Sequence, residues 1–189
     1  MRAQMAWILV LVASMAVGAD EKQAMKELVP CLAQADRTRV AAFLVKSGQS
    51  KEAMEAQLSS SFAGLPPAEL EAYKAALREA VADNPADPDA YIAQKLNQCV
   101  AKTSSASKQH VARPCYQTTL YAHEIYAAKE QKLPLEQVKK TSAENLTKAG
   151  LSADYVKAVQ ALATGIYGAD QPEAVFRPRW FASCVIQSK

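Results

Sequence analysis

Apolar residues recur along this chain at helical spacing, in short blocks separated by Gly, Pro and Ser. From Lys22 to Lys46 the apolar positions are Met25, Leu28, Leu32, Val40, Phe43 and Leu44, mostly at the spacing that lines one side of an α-helix. Pro30 is expected to kink or break that helix, because proline lacks an N–H and clashes with the preceding turn. Ser47-Gly48-Gln49 reads as a stop, with glycine suited to the left-handed cap. Ser50-Lys51-Glu52 restarts a helix under a serine cap, with Ala53, Met54 and Leu58 as its apolar stripe. Ser59 to Gly64 is a turn. Leu65-Pro66-Pro67 opens a third helix, where proline fits the first turn. Its Leu70, Tyr73, Leu77, Ala80 and Val81 share one face, and Asp83-Asn84-Pro85 ends it. Asp87-Pro88 begins a fourth helix that carries Tyr91, Ile92, Leu96 and Cys99.

The second half replays this order. Cys115 to about Gln131 reads as one helix with Tyr116, Leu120, Tyr121, Ile125 and Tyr126 as its apolar positions. Lys132-Leu133-Pro134 is a break, and Leu135-Glu136-Gln137-Val138 opens the next helix. Gly150-Leu151-Ser152 is a turn, followed by a face of Val156, Val159, Leu162, Ala163, Ile166 and Tyr167. A last helix holds Val175, Phe176, Trp180, Phe181 and Cys184. The cysteines keep the same register: Cys31 and Cys99 lie 68 positions apart, Cys115 and Cys184 69. Each first Cys follows a Pro (Pro30, Pro114) and each second precedes a Val (Val100, Val185). Pro88-Asp89-Ala90 and Pro172-Glu173-Ala174 stand at the same distance after their first Cys. The expected fold is therefore all-α, two tandem disulfide-stapled modules of about four short helices each. The modules are residues 20–100 and 114–189, with the Ser-, Lys- and Ala-rich segment 101–113 as a linker. Helices this short need tertiary packing to persist.

The first 19 residues are read as a leader. Met1-Arg2 is a basic start, Met5 to Val17 is one apolar run, and Val17-Gly18-Ala19 offers small residues to a signal peptidase. The run is shorter than the roughly 20 residues of a membrane span, so the expectation is a signal peptide cleaved after Ala19, with no stable membrane anchor afterwards. In an exported chain an even number of cysteines implies disulfides. Four cysteines allow three pairings, and the repeat favours Cys31–Cys99 with Cys115–Cys184. A zinc site would want a close Cys pair, which the spacing lacks.

Charge and chemistry narrow the picture further. The 22 basic and 19 acidic residues are interleaved, as on solvated helix faces, and form no basic stripe for nucleic acid. With six glycines in all, the chain has no Gly-rich phosphate loop and no cofactor signature. His123-Glu124-Ile125-Tyr126-Ala127 begins like a zinc-protease helix, but Ala127 stands where the second imidazole would be. His110 is the other histidine. No GxSxG elbow accompanies them, and paired cysteines offer no free thiol. Glu52 and Glu136 stand at matched helix starts, where the dipole favours them. Arg177-Pro178-Arg179-Trp180-Phe181 is the most unusual local composition. Arg177, Arg179 and Trp180 make an interface candidate of the type found in binding hot spots; Trp180 and Phe181 equally suit a core beside Cys184. Asn145-Leu146-Thr147 matches a glycosylation sequon.

The Cys-bearing first helix, the break before Pro134-Leu135-Glu136, the hydrophobic helix ending near Ile166-Tyr167 and the Phe181-x-x-Cys184 ending carry a resemblance. Residues 114–185, and more faintly 30–100, resemble the small periplasmic all-helical two-Cys proteins of proteobacteria. That resemblance implies a periplasmic or secreted address. At the level of class the chain is also similar to periplasmic immunity proteins that neutralise cell-wall amidases, although it matches no toxin-contact motif. The expected function is a non-enzymatic module that binds an unknown protein partner in the cell envelope, such as an inhibitor or immunity-type protein. The alternatives are a small envelope hydrolase using His123 with a carboxylate, and a holdase-like stress protein.

Overall fold

The computed structural model describes residues 19–188, so the leader, apart from Ala19, lies outside the described residues. The secondary structure there is helical throughout. The helices are α1 (Ala19–Lys46), α2 (Lys51–Ser61), α3 (Pro67–Asp83), α4 (Pro88–Val100), α5 (Gln109–Thr119), α6 (Ala122–Glu130), α7 (Leu135–Lys148), α8 (Ala153–Gly168) and α9 (Glu173–Gln187), with a 3-10 turn at Ala106–Lys108. Two disulfides, Cys31–Cys99 and Cys115–Cys184, pair all four cysteines. The chain falls into two compact units. One is Glu27–Arg113; the other runs from Pro114 onward and takes in the start of α1 up to Lys26. Each disulfide lies within one unit.

In the Glu27–Arg113 unit, Ala41, Ala42, Met54, Leu58, Leu77, Ala80 and Tyr91 form one buried cluster. Leu28, Leu96 and Val100 are fully buried as well. The turns work as the residue types require. Gly48 takes a left-handed φ of 70° after α1, where a side chain would be strained. The Ser50 hydroxyl accepts from the Ala53 amide at 3.3 Å. The Asp87 carboxylate accepts from the Asp89 and Ala90 amides at 2.9 and 3.1 Å, satisfying first-turn N–H groups of α4.

Two sequence expectations change in this unit. α1 is not broken at Pro30 but runs through it. Proline withholds one N–H from the Lys26 carbonyl, a local cost that buried Leu28, Cys31 and Leu32 on either side offset. Phe43 is 44 % exposed, with the Arg39 guanidinium 5.7 Å from its ring centroid. The buried seam of α1 is instead Leu28, Cys31, Leu32, Ala35, Thr38, Ala41 and Ala42. These small residues keep the helical period, and the larger Phe43 falls beside them. Within the segment 101–113, read as a linker, single residues are buried. Ala112 is fully buried, Ser105 is 8 % exposed, and the Ser104 amide donates to Glu27 Oε2 at 2.6 Å.

In the Pro114 unit, Ala122, Ile125, Tyr126, Val138, Leu146, Val156, Val159, Leu162, Ala163 and Ile166 form the core, with Phe176 and Trp180 packed against it. Val175 is 39 % exposed. Lys129 reaches the C-terminal end of α8, donating to the Ile166 and Ala169 carbonyls at 2.8 and 2.7 Å. The helix expected from Cys115 to Gln131 is two helices, α5 and α6. The Thr118 and Thr119 hydroxyls donate back to the Pro114 and Tyr116 carbonyls at 2.9 and 2.7 Å, and such back-bonding bends helices. The next two amides, of Leu120 and Tyr121, bond three residues back instead of four.

Candidate functional site

Of the residues singled out from sequence, His123 lies on α6 and Arg177, Arg179 and Trp180 on α9, within the Pro114 unit. His123 is the second residue of α6 and Glu173 the first of α9. Their side chains meet with His123 Nδ1 3.2 Å from Glu173 Oε2, and His123 is 83 % exposed. One turn further along α9, Arg177 Nε donates to the Thr119 carbonyl at 3.2 Å. Glu173 and Arg177 therefore grip the chain on either side of the α5–α6 break. Nearby, the Tyr126 hydroxyl donates to the Gln171 carbonyl at 2.9 Å. Burial, followed by the charge of Glu173, raises the Tyr126 phenol above its ordinary pKa.

The three interface candidates separate. Trp180 is half-buried, stacks on Phe176 at 5.9 Å between centroids, and packs against the core. Its indole N–H is buried without a hydrogen-bond partner. Gly165 of α8 makes room for these rings: a Cβ there would lie 3.0 Å from both Phe176 Cζ and Trp180 Cζ3. Arg177 is half-buried against the Thr119 carbonyl. Arg179 is exposed, with Nη1 donating to the neutral Gln171 Oε1 at 3.3 Å. The solvent-facing polar groups of this face are thus His123, Glu173 in part, and Arg179. They can offer an imidazole, a carboxylate and a guanidinium to a partner surface. Glu173 was read from sequence only as a mark of the repeat, because its partner His123 stands 50 positions away and no local pattern links them.

A second polar cluster joins α3 to α4 in the other unit. The Tyr91 hydroxyl donates to Asp83 Oδ2 at 2.8 Å, and Lys95 Nζ donates to Glu79 Oε1 and Asp83 Oδ2 at 2.8 and 3.0 Å. Lys95 Nζ also lies 4.9 Å from the Tyr91 ring centroid, a cation–π distance. Burial first, then the bond to Asp83, pushes the Tyr91 phenol up to about 12. The bonds from Tyr91 and Lys95 hold the Asp83 carboxyl below its ordinary value, and the bond to Glu79 raises Lys95. Every group in this cluster has a partner, which is what a clasp between two helices needs.

His110 is exposed on α5. Asn145 and Thr147 of the sequon are exposed on α7. Among the described residues no group of three or more His, Cys, Asp or Glu is placed to hold a metal ion, and no helix is long and apolar enough to cross a membrane. Comparison with protein-family models, curated proteins and solved structures finds no match for this chain.

Proposed function

We propose that this protein is a non-enzymatic binding protein of the cell envelope, exported by its leader, which acts on another protein through its helix surfaces. Its sharpest form is an inhibitor or immunity-type protein set against an envelope hydrolase. The observation that carries this reading is that exposed Arg179 stands on a covalently braced helix, α9, and that exposed His123 of α6 meets Glu173 of that same helix at 3.2 Å. The Cys115–Cys184 disulfide fastens α9 to α5 beside them. A face held in this way loses little freedom on association, so its contacts convert more fully into affinity. Two disulfides agree with an extracytoplasmic address, where such bonds persist. Tandem duplication of one module belongs to the same reading. It is supported by the near-equal Cys separations of 68 and 69 and by one disulfide in each unit.

The test is capture of envelope proteins on tagged residues 20–189 under non-reducing conditions, beside an Arg179→Glu variant. The expected result is a hydrolase retained in stoichiometric amount, inhibited by the wild type and released by the variant. Retention of no protein at all overturns the reading. The hydrolase alternative has one observation in its favour, the His123–Glu173 contact at 3.2 Å, which is the geometry of a general base held by a carboxylate. Turnover of peptidoglycan fragments or simple esters by the pure protein, abolished in His123→Ala, would put that alternative in its place.

A further inference from the structure

The α5–α6 break, bent from within by the Thr118 and Thr119 hydroxyls, is also held from outside the segment that breaks. In an uninterrupted helix the Thr119 carbonyl would accept from the amide four residues on, that of His123. Here it accepts from Arg177 Nε at 3.2 Å. His123 is the second residue of α6, and a first-turn amide has no acceptor within its own helix. The two residues between the helices are close to helical already. Leu120 and Tyr121 bond to Gln117 and Thr118 at 3.2 Å, and Tyr121 has φ −82° and ψ −8°. Little backbone rotation separates this turn from a continuous helix. Thr119 is only 1 % exposed, so water is a poor substitute donor and its carbonyl must find a protein one. The Arg177 guanidinium supplies it here, and the His123 amide would supply it in an uninterrupted helix.

We propose that the α5–α6 segment is a two-state element. In the bent state Arg177 occupies the Thr119 carbonyl, and in the straight state the His123 amide does. Glu173, one turn before Arg177 on α9, holds the His123 ring at 3.2 Å and favours the bent state from the other side of the break. The Cys115–Cys184 disulfide joins α5 and α9 in both states. The exposed imidazole is the handle, since a partner that takes His123 away from Glu173 removes one of the contacts that keep the segment bent. α1 shows that a helix can run unbroken past a Pro-Cys pair, as it does through Pro30-Cys31 to Lys46.

The experiment is amide hydrogen exchange by NMR on the disulfide-intact chain, comparing wild type with Arg177→Met, which keeps the stem and removes the donors. The expected result is a His123 amide about fivefold better protected in the variant, the gain of one ordinary hydrogen bond. Backbone shifts of Leu120 and Tyr121 should move further toward α-helical values while those of Val159, Leu162 and Ile166 stay put. An unchanged His123 amide in a folded variant overturns the proposal. So does a variant that fails to fold, because the straight state is held to satisfy the carbonyl. A merely structural Arg177 is told apart by His123→Pro, which has no amide to lend and fits the first turn of α6. Combined with Arg177→Met it should cost more stability than the two single changes added together. Simple additivity sinks the idea.

Discussion

At the residue scale, small side chains decide this fold as much as large ones. The buried seam of α1 is built on Ala35, Thr38, Ala41 and Ala42, while Phe43 stays 44 % exposed. Gly165 is the sharpest case. Exchange for Ala gains about 1 kcal/mol of helix propensity but forces the Phe176 and Trp180 rings aside from 3.0 Å contacts, and overpacking costs roughly 1–3 kcal/mol. Gly165→Ala is therefore expected to lose about 1 kcal/mol in denaturant titration. Gly168→Ala, with nothing within 4 Å of its Cβ, should be neutral or gain up to about 0.5 kcal/mol. The position of Trp180 was half legible in sequence. Composition marked it as unusual, but only the ring stack against Gly165 shows that it is a core residue leaving Arg179 as the exposed cation.

At the element scale, the helix ends and helix pairs carry the specific polar contacts. Lys129 closes the C-terminal end of α8 with bonds to Ile166 and Ala169. A cation there also suits the helix dipole, so Lys129→Met should lower stability by about 1–2 kcal/mol in the same titration. In the α3–α4 clasp, Tyr91→Phe loses the bond to Asp83 and is expected to cost about 1 kcal/mol at neutral pH. The clasp also sets an alkaline limit. The folded pKa values of Tyr91 and Lys95 lie above their unfolded values, so their stabilisation is complete below about 10 and is lost as pH rises through the folded values. Thermal melts between pH 9 and 12 should fall for wild type, and fall less steeply for Tyr91→Phe. At the acid end Asp83 behaves oppositely: its folded pKa is depressed, so its contribution disappears as pH falls through that value. The helix boundaries with Gly48, Ser50, Pro67 and Asp87 were legible because local chemistry sets them. The α5–α6 break was not, because its cause includes Arg177, which is 58 positions from Thr119.

At the scale of the whole molecule, two cross-links brace a helical chain whose elements are individually short. Each closes a loop of about 70 residues, and removing a native bridge of this kind typically costs about 2–5 kcal/mol. Replacing Cys115 and Cys184 together by Ala should lower the unfolding free energy in denaturant titration by an amount in that range, and Cys31 with Cys99 likewise. A melting temperature unchanged by reductant would contradict both. The envelope-binding proposal sits at this scale too, because it depends on α9 being presented by a braced frame.

The sequence by itself determined the helical class, most helix ends and the cysteine register. These follow from side-chain periodicity, capping chemistry and backbone limits at Gly and Pro, all local to a few residues. Tertiary structure alone decided that α1 runs on through Pro30, that Ser105 and Ala112 are buried, and that Phe43 and Val175 are exposed while Trp180 packs against the core. It also brought His123 to Glu173 and Arg177 to Thr119. The physical reason is that packing free energy summed over a buried face exceeds the preference of any one residue. Contacts between residues 50 or more positions apart have no imprint on the local pattern from which helices are read.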